Sequence, residues 1–176
     1  MLRKPTQEQL NQMDENLRKQ WAMQRPLSYA IYKGVNGKFG CFQFKLSTAY
    51  DNPNRPERME GGVFIEAAPA IGPNKYDWKK KVIFALSVTD IGKVLSEGFR
   101  RDGKLSLYHD PGAKSNRANV TKKSLRIEAG QRSGFFMHLR EETAGNEKTI
   151  TIPVSPDEAT IIVELLKAAI PKILGW

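Results

Sequence analysis

The spacing of the hydrophobic residues changes from helical to alternating near residue 28, and this change constrains the fold more than any other feature. Upstream, four apolar side chains recur at helical intervals: Leu10, Met13, Leu17 and Trp21. Arg25-Pro26 ends this pattern, because the residue before a proline disfavours helical backbone. We therefore predict a helical arm over residues 1–27, which either packs against the rest of the chain or serves in oligomerisation.

Downstream, apolar and polar residues alternate, as they do in strands with one buried face. The pattern predicts eight strands, over residues 28–33, 38–48, 62–71, 76–87, 105–109, 122–128, 134–142 and 148–154. A short helix capped by Thr89 or Asp90 separates the first four strands from the last four. Residues 50–60, which include Asn52-Pro53-Asn54, are predicted to form a mobile loop. This order predicts an α+β domain of antiparallel sheets over residues 28–176.

The last helix has the clearest start signal in the chain. Ser155 is in the N-cap position, Pro156 in the first turn and Glu158 at capping-box spacing, and Pro171 is predicted to stop the helix. A terminal helix this apolar has more surface than one small sheet covers. We therefore expect part of it to contact neighbouring protomers of a homotetramer, through Leu166, Ile170, Ile173 and Leu174.

The charge indicates a polyanionic partner. Twenty-eight Lys and Arg against nineteen Asp and Glu give a formal net charge of +9, which favours nucleic acid. A membrane surface fits less well, because the basic stretch falls on predicted loops and strands rather than on an amphipathic helix. No apolar run reaches the roughly 18 residues of a membrane span. Between residues 98 and 126, two aspartates accompany eight cations: Arg100, Arg101, Lys104, Lys114, Arg117, Lys122, Lys123 and Arg126.

Aromatic and basic residues alternate on the predicted fourth strand. Tyr76, Trp78 and Lys80 share one face if residues 76–87 are extended, giving two rings and a cation. Bases stack on such rings while lysines offset the phosphates. The alternative is that both rings belong to the core and the lysines to a solvated face. Phe42 and Phe44 have the spacing of core residues.

Enzyme sites are not indicated. The segment Gly34-Val-Asn-Gly-Lys38 lacks the spacing and the Ser/Thr of a phosphate-binding loop. His109-Asp110 resembles part of a metal site, but the chain has only two histidines. Cys41 lies within a predicted strand, where a small buried thiol is the usual role. We predict no enzymatic activity, no cofactor and no metal.

The sequence resembles the plant Whirly family of single-stranded DNA-binding proteins. Residues 67–81, Ala-Ala-Pro-Ala-Ile-Gly-Pro-Asn-Lys-Tyr-Asp-Trp-Lys-Lys-Lys, and residues 84–92, Phe-Ala-Leu-Ser-Val-Thr-Asp-Ile-Gly, are similar to the middle of these proteins. Shorter matches follow in order: His109-Asp110-Pro111, Lys114-Ser115-Asn116, Lys123-Ser124-Leu125, Ser133-Gly134-Phe135-Phe136, Ile152-Pro153-Val154-Ser155 and Leu174-Gly175-Trp176. Tyr32-Lys33-Gly34 fits the start of the family's lysine-glycine-lysine-alanine-alanine-leucine signature, but residues 35–37 depart from it, so Lys38-Phe39-Gly40 is an equal candidate for the counterpart.

The resemblance implies two four-stranded antiparallel sheets packed roughly at right angles, in protomers held by their helices as a tetramer. It also implies single-stranded DNA bound between protomers with little sequence preference, and kinship with the kinetoplastid mitochondrial RNA-binding proteins. Two alternatives remain: an RNA-annealing module, and a structural oligomer with a basic protein-docking loop. The compartment is left open, whether cytoplasm, nucleoid or an organelle reached through a removed presequence. The predicted contact residues are Lys33, Lys38, Tyr76, Trp78, Lys80, Lys114, Lys122, Lys123 and Arg126.

Overall fold

The computed structural model describes residues 28–34, 38–52, 55–110, 121–130, 133–143 and 145–176, with the backbone alone over 50–60. The predicted helical arm and Lys114 lie outside these residues. Within these described residues, nine strands form two antiparallel sheets. Sheet A contains β1 (Ser28–Tyr32), β2 (Gly40–Asn52), β3 (Arg55–Gly72), β4 (Lys75–Tyr76) and β5 (Val82–Leu86). Sheet B contains β6 (Lys104–His109), β7 (Lys122–Ala129), β8 (Phe135–Thr143) and β9 (Asn146–Val154).

The topology confirms the α+β class. In sheet A, β1 pairs with β2 and β2 with β3, while β4 and β5 both pair with β3. Sheet B is a meander in the order β6-β7-β8-β9. Between the last strand of sheet A and the first strand of sheet B, the chain forms helix α1 (Val88–Lys93), which continues into a π-helical turn at Val94–Gly98. Helix α2 (Pro156–Leu174) follows sheet B.

The predicted mobile loop over residues 50–60 was wrong. Residues 50–52 belong to β2 and residues 55–60 to β3, where Tyr50 pairs with Glu60, Asp51 with Met59 and Asn52 with Arg55. Register shifts after Ser47 and between Asp51 and Asn52 interrupt the ladder without ending it. Pairing extends as far as Asn52 and Arg55 because it satisfies the backbone hydrogen-bonding groups of both strands.

The predicted fourth strand was also wrong, because residues 76–87 are not continuously extended. Strand β4 ends at Tyr76, and a 3₁₀ turn at Trp78–Lys80 separates it from β5. The Asp77 carboxylate accepts hydrogen bonds from the backbone N–H groups of Lys79, at 3.1 Å, and Lys80, at 3.3 Å. An aspartate that bonds its own backbone in this way competes with the extended ladder.

Both helix starts are set by capping boxes. Ser87 rather than Thr89 or Asp90 caps α1: its hydroxyl accepts from the Asp90 N–H at 3.2 Å, and the Asp90 carboxylate accepts from the Ser87 N–H at 3.0 Å. The predicted cap of α2 is confirmed, since Glu158 accepts from the Ser155 N–H at 2.9 Å. None of the helices in the described part of the chain is long and apolar enough to cross a membrane.

The predicted stop of α2 at Pro171 was wrong. The helix continues to Leu174 and ends at Gly175, whose φ of 77° is left-handed, while the Trp176 N–H bonds the Pro171 carbonyl at 2.9 Å. A proline in the last turn removes only one backbone hydrogen bond, so the helix can continue past it. The left-handed glycine then lets the following N–H groups bond the last free carbonyls of the helix.

The core lies between the two sheets and α2 as one continuous cluster of buried side chains. Phe42 and Phe44 belong to it, as predicted, and Cys41 is fully buried. From α2, five residues are buried within the protomer: Ala159, Ile162, Leu166, Ala169 and Ile173. Two side chains predicted to face neighbouring protomers, Leu166 and Ile173, are therefore core residues. Ile170 packs against the same core, and Leu174 is exposed.

Candidate nucleic-acid interface

Two tyrosine rings meet on the outer face of sheet A, the face opposite the core. Tyr32 pairs with Cys41 in the ladder, Cys41 pairs with Ala68, and Tyr76 pairs with Ala70 on the same face. The centroids of the Tyr32 and Tyr76 rings are 5.4 Å apart, at an interplanar angle of 52°. Tyr32 is 57% exposed. The pair therefore presents aromatic surface to solvent.

Gly34 holds the Tyr76 ring in place. Its backbone N–H donates to the Tyr76 hydroxyl at 2.9 Å. A Cβ at position 34 would lie 2.9 Å from the Tyr76 Oη and 3.0 Å from its Cε1. Only glycine lets the backbone approach the ring this closely, so the sequence at position 34 sets the ring position.

Phe39 lies beside this pair, at the start of β2. Its φ of 64° is unusual for a residue that is not glycine, and its ring is 42% exposed. Its carbonyl accepts from the Ala70 N–H at 3.1 Å, which ties the unusual backbone to β3. Three further side chains near Phe39 and Tyr76 in the sequence or the ladder are exposed: Lys38, Ile71 in β3 and Lys75 in β4. We call Tyr32, Phe39 and Tyr76, with Lys38 and Lys75, the aromatic tip.

A three-residue ion network occupies the middle of the outer face. The Glu66 carboxylate contacts the Lys45 ammonium at 2.9 Å and the Lys81 ammonium at 2.8 Å. Burial alone would raise the pKa of Glu66, but hydrogen bonds from Lys81 and Lys45 outweigh it and lower this pKa. Phe64, which pairs with Lys45, is exposed next to the network. Aromatic and basic groups therefore interleave along this face.

The predicted residues Tyr76, Trp78 and Lys80 do not share one strand face. Trp78 and Lys80 lie on the 3₁₀ turn, where no residue is buried. Trp78 is 37% exposed, so the interpretation that it belongs to the core was wrong. The Lys80 side chain is 73% exposed, with its ammonium 3.6 Å from Asp77.

Lys33 and Lys38 differ in their freedom. The Lys33 ammonium lies 2.9 Å from the Glu158 carboxylate at the start of α2. Burial alone would raise the pKa of Glu158, but bonds from the Ser155 backbone and Lys33 lower it. Lys38 is exposed next to Phe39, and no ion pair with it is found among the described residues. Lys38 is therefore the better placed of the two for a phosphate.

The predicted residues of β7 lie on two sides of sheet B. Lys122 and Arg126 are exposed on one face, as their spacing predicted, at 3.9 Å from Asp110 and 3.4 Å from Glu128. Lys123 points the other way. Its ammonium donates to the Ile83 carbonyl of β5 at 2.9 Å and lies 3.0 Å from Glu141, so it joins the two sheets.

Strand β7 does not lie at an edge of sheet B. It is a central strand, paired with β6 and β8 along its length. The turn residues that flank it in sequence mark hairpins, and hairpins place a strand beside its neighbours rather than at a free edge.

The two histidines are bonded to neighbouring side chains. His109 stacks on Phe84, with ring centroids 4.2 Å apart, and its Nε2 lies 3.3 Å from Asp90. His138 bonds Thr151 at 2.9 Å and Glu128 at 3.1 Å. Burial and the nearby Arg126 lower the pKa of His138, and Glu128 partly opposes this shift. In the part of the chain that is described, no three His, Cys, Asp or Glu residues are grouped as metal ligands.

Comparison with known proteins identifies the family. Residues 43–165 match the family model described as "Whirly transcription factor". The chain belongs to the Whirly family. It is 33% identical over 151 residues to the Arabidopsis thaliana mitochondrial single-stranded DNA-binding protein WHY2, a match that covers 84% of this chain and 63% of that protein. The chain therefore spans under two thirds of the length of this curated relative.

Solved Whirly structures have the same fold. A structure of the plant transcriptional regulator PBF-2 superposes with a TM-score of 0.74 at 29% identity, covering 87% of this chain and 85% of that one. Trypanosome MRP1/MRP2 superposes with a TM-score of 0.52 at 12% identity, covering 90% and 94%. This second likeness shows the fold alone.

Tyr32, Phe39 and Lys75 belong to the aromatic tip but not to the contact residues predicted from the sequence, and Tyr32 is the most exposed of the three tip rings. It ends a strand whose other ring, Tyr29, packs against the core, so aromatic content alone did not separate the two. The period-two pattern contained the signal. Tyr32 follows the buried Ile31 and therefore lies on the opposite face.

Proposed function

We propose that this Whirly chain binds single-stranded DNA with little sequence preference, through ring stacking and phosphate contacts. The observation that carries the proposal is the Tyr32–Tyr76 ring pair on the outer face of sheet A, in which Tyr32 is exposed and Tyr76 half-buried, with the exposed Lys38 and Lys75 on the adjoining backbone. Base-on-ring stacking contributes about 1–3 kcal/mol per base and tolerates any base. The naming of the relative WHY2 as a single-stranded DNA-binding protein supports the ligand class.

We further propose that the chain acts by binding and not by catalysis. The exposed groups of the aromatic tip are rings and ammonium groups, which are suited to contact bases and phosphates. The Cys41 thiol is buried, and burial raises its pKa to about 11, so it is a poor nucleophile. Both histidines are engaged in hydrogen bonds away from the tip.

The remaining predicted residues extend this surface. Lys38 is an exposed cation of the aromatic tip, and the exposed Lys80 follows Tyr76 by four positions. We propose that a strand contacting them continues onto a neighbouring protomer of a homotetramer. Lys122 and Arg126, and Lys114 outside the described residues, supply positive charge on that second part. Lys33 and Lys123 act on the ligand indirectly in this arrangement, because their ion pairs hold the surfaces in place.

A matched pair of tyrosine variants tests the site. Tyr32 and Tyr108 are equally exposed, at 57% and 58%, but lie on sheet A and sheet B respectively. We expect Tyr32→Ala to weaken binding of a labelled single-stranded oligonucleotide by about 5- to 100-fold and Tyr108→Ala to leave it within about twofold. Equal melting temperatures establish that both variants fold. Loss of binding only in Tyr108→Ala would move the site to sheet B.

A competition experiment identifies the ligand. Unlabelled single-stranded DNA, duplex DNA and single-stranded RNA of one length are compared at fixed salt, because affinities at different salt concentrations cannot be compared. We expect single-stranded DNA to compete best and duplex DNA worst, since bases paired in a duplex cannot stack on the tip. Stronger competition by RNA would favour the RNA-annealing alternative. No competition by any of them would leave a protein-docking role.

A further inference from the structure

An apolar groove runs between α2 and the core face of sheet A. Its volume is about 190 Å³. Tyr29, Leu46 and Val63 line it from the sheet, and Ile162, Leu165 and Ala168 from the helix. This groove is separate from the aromatic tip, because the tip lies on the opposite face of sheet A.

The chain enters the described structure at this groove. Ser28, the first residue described, is one of the residues that line it. Strand β1 begins there, and among the described residues it pairs only with β2, at an edge of sheet A. Twenty-seven residues precede Ser28, and they must leave from the rim of the groove.

The residues that precede Ser28 include apolar side chains that suit an apolar groove. Leu10, Met13, Leu17 and Trp21 form an apolar stripe at helical spacing. Trp21 precedes Ser28 by seven positions, and seven extended residues span at most about 25 Å. A closed apolar cavity of roughly 150 Å³ holds a benzene molecule, so this groove has room for an aromatic side chain. Asp14 lies on the same side of the predicted helix as the stripe, and Lys172 lines the groove. These two side chains have opposite charges.

We propose that residues 6–25 dock as an amphipathic helix into this groove of their own chain, with Leu17 and Trp21 filling it. Of the two roles predicted for the arm, this assigns packing rather than oligomerisation. The short connection to Ser28 keeps the segment at a high effective concentration at its own groove, which favours this occupant over a second copy.

Engineered cysteines test the placement. Cys41 is fully buried and does not compete for oxidation. We expect Leu17→Cys with Ala168→Cys to form an intramolecular disulfide under mild oxidation, seen as a faster monomer band on a non-reducing gel. The matched control is Leu17→Cys with Lys167→Cys, because Lys167 is exposed on α2 outside the groove. Equal cross-linking in both pairs, no cross-link, or a dimer band alone would each overturn the proposal.

A second measurement separates packing from association. We expect Trp21→Asp to lower the melting temperature by about 3–6 °C without changing the mass measured by light scattering. Lys19→Asp, on the opposite side of the predicted helix, should leave both unchanged. A lower mass with an unchanged melting temperature would place the segment between copies, and an unchanged Trp21→Asp protein would leave the groove to another occupant. Either result contradicts docking within the chain.

Discussion

At the scale of single residues, the contact between Gly34 and Tyr76 determines how the aromatic tip is presented. The Tyr76 hydroxyl accepts from the Gly34 N–H at 2.9 Å, and its ring lies 5.4 Å from that of Tyr32. A ring held by a backbone group loses little conformational freedom when a base stacks on it. The tip is therefore organised before the ligand arrives.

Gly34→Ala tests this organisation. The added methyl group must displace the Tyr76 ring, because it would lie 2.9 Å from the Tyr76 Oη and 3.0 Å from two ring carbons. We expect the affinity for single-stranded DNA to fall about 5- to 10-fold, through loss of about 1 kcal/mol of stacking. Fluorescence anisotropy with a labelled oligonucleotide measures the change. Gly72→Ala is the control, since a Cβ at Gly72 meets nothing within 4 Å, and equal effects of both would refute the argument.

The Glu66 network makes the stability of the fold depend on pH. The pKa of Glu66 is lowered in the folded state, because the bonds from Lys81 and Lys45 outweigh burial. A carboxyl with a lowered folded pKa contributes stability above its unfolded pKa, near 4.3, and loses it as the pH falls through the folded value. We expect Glu66→Gln to cost about 1 kcal/mol at pH 7 and almost nothing near pH 3.

Urea denaturation of the wild-type protein and of Glu66→Gln at pH 7, 5 and 3 measures the difference in their free energies of unfolding. Glu164→Gln is the matched control, because Glu164 pairs with Lys167 at 2.9 Å on the exposed side of α2. Exposed pairs of this kind contribute little to stability. A cost of Glu66→Gln that stays constant down to pH 3 would show that its ionisation is not the cause.

At the scale of elements, the 3₁₀ turn decides where Trp78 lies. Alternation predicted Tyr76, Trp78 and Lys80 on one strand face, whereas the Asp77 carboxylate binds two N–H groups and curls the chain. We expect Trp78→Ala to fold, with a melting temperature lower by only about 2–4 °C, because no residue of this turn is buried. If bases reach the turn, the affinity falls by about 1–3 kcal/mol as well. A loss of stability of about 3–5 kcal/mol would instead indicate a core role.

The elements that the sequence predicted well are those with one buried face. The period of two marked the core positions of β7, where Leu125 and Ile127 are buried on either side of the exposed Arg126. It was harder to predict from the sequence whether a polar side chain that hydrogen-bonds its own backbone interrupts a strand. Asp77 broke a predicted strand, while Asn52 did not break the β2–β3 ladder.

The candidate site could be predicted only in part. Sequence spacing placed Lys122 and Arg126 on one face, as the structure has them. It could not show that Lys33 and Lys123 are held in ion pairs, because their partners Glu158 and Glu141 are distant in the chain. It also could not bring Tyr32 to Tyr76, since that contact depends on the register of β1, β2 and β3.

At the scale of the whole molecule, the net charge of +9 predicts binding that depends strongly on salt. Each phosphate that is neutralised on a single strand contributes about −0.7 to the slope of log affinity against log salt. We expect Lys38→Ala to make this slope less steep by about 0.7, and Lys123→Ala to change it little because its ammonium is held by Glu141. Titrations at several salt concentrations measure both slopes. A wild-type affinity independent of salt would remove the electrostatic part of the proposal.

The exposed end of α2 carries the prediction about assembly. Leu174 is exposed and Trp176 is 90% exposed, so apolar surface remains at the C-terminus after the core is formed. We expect a homotetramer of 19.9 kDa chains, and we expect the double variant Leu174→Arg, Trp176→Arg to dissociate because buried guanidinium groups without partners are costly. Light scattering at micromolar concentration gives the mass.

The same variant tests whether DNA is bound between protomers. Both substitutions lie far along the chain from the aromatic tip and outside the core, so the fold of each protomer should persist. If a strand contacts two protomers, separating them removes part of its phosphate contacts, and both the affinity and the salt slope fall. Lys172→Ala on the same helix turn serves as control, since it removes a charge without adding one to the apolar end. A monomeric variant with unchanged affinity and slope would show that a single protomer holds the whole site, and a tetrameric variant would place the assembly contacts elsewhere.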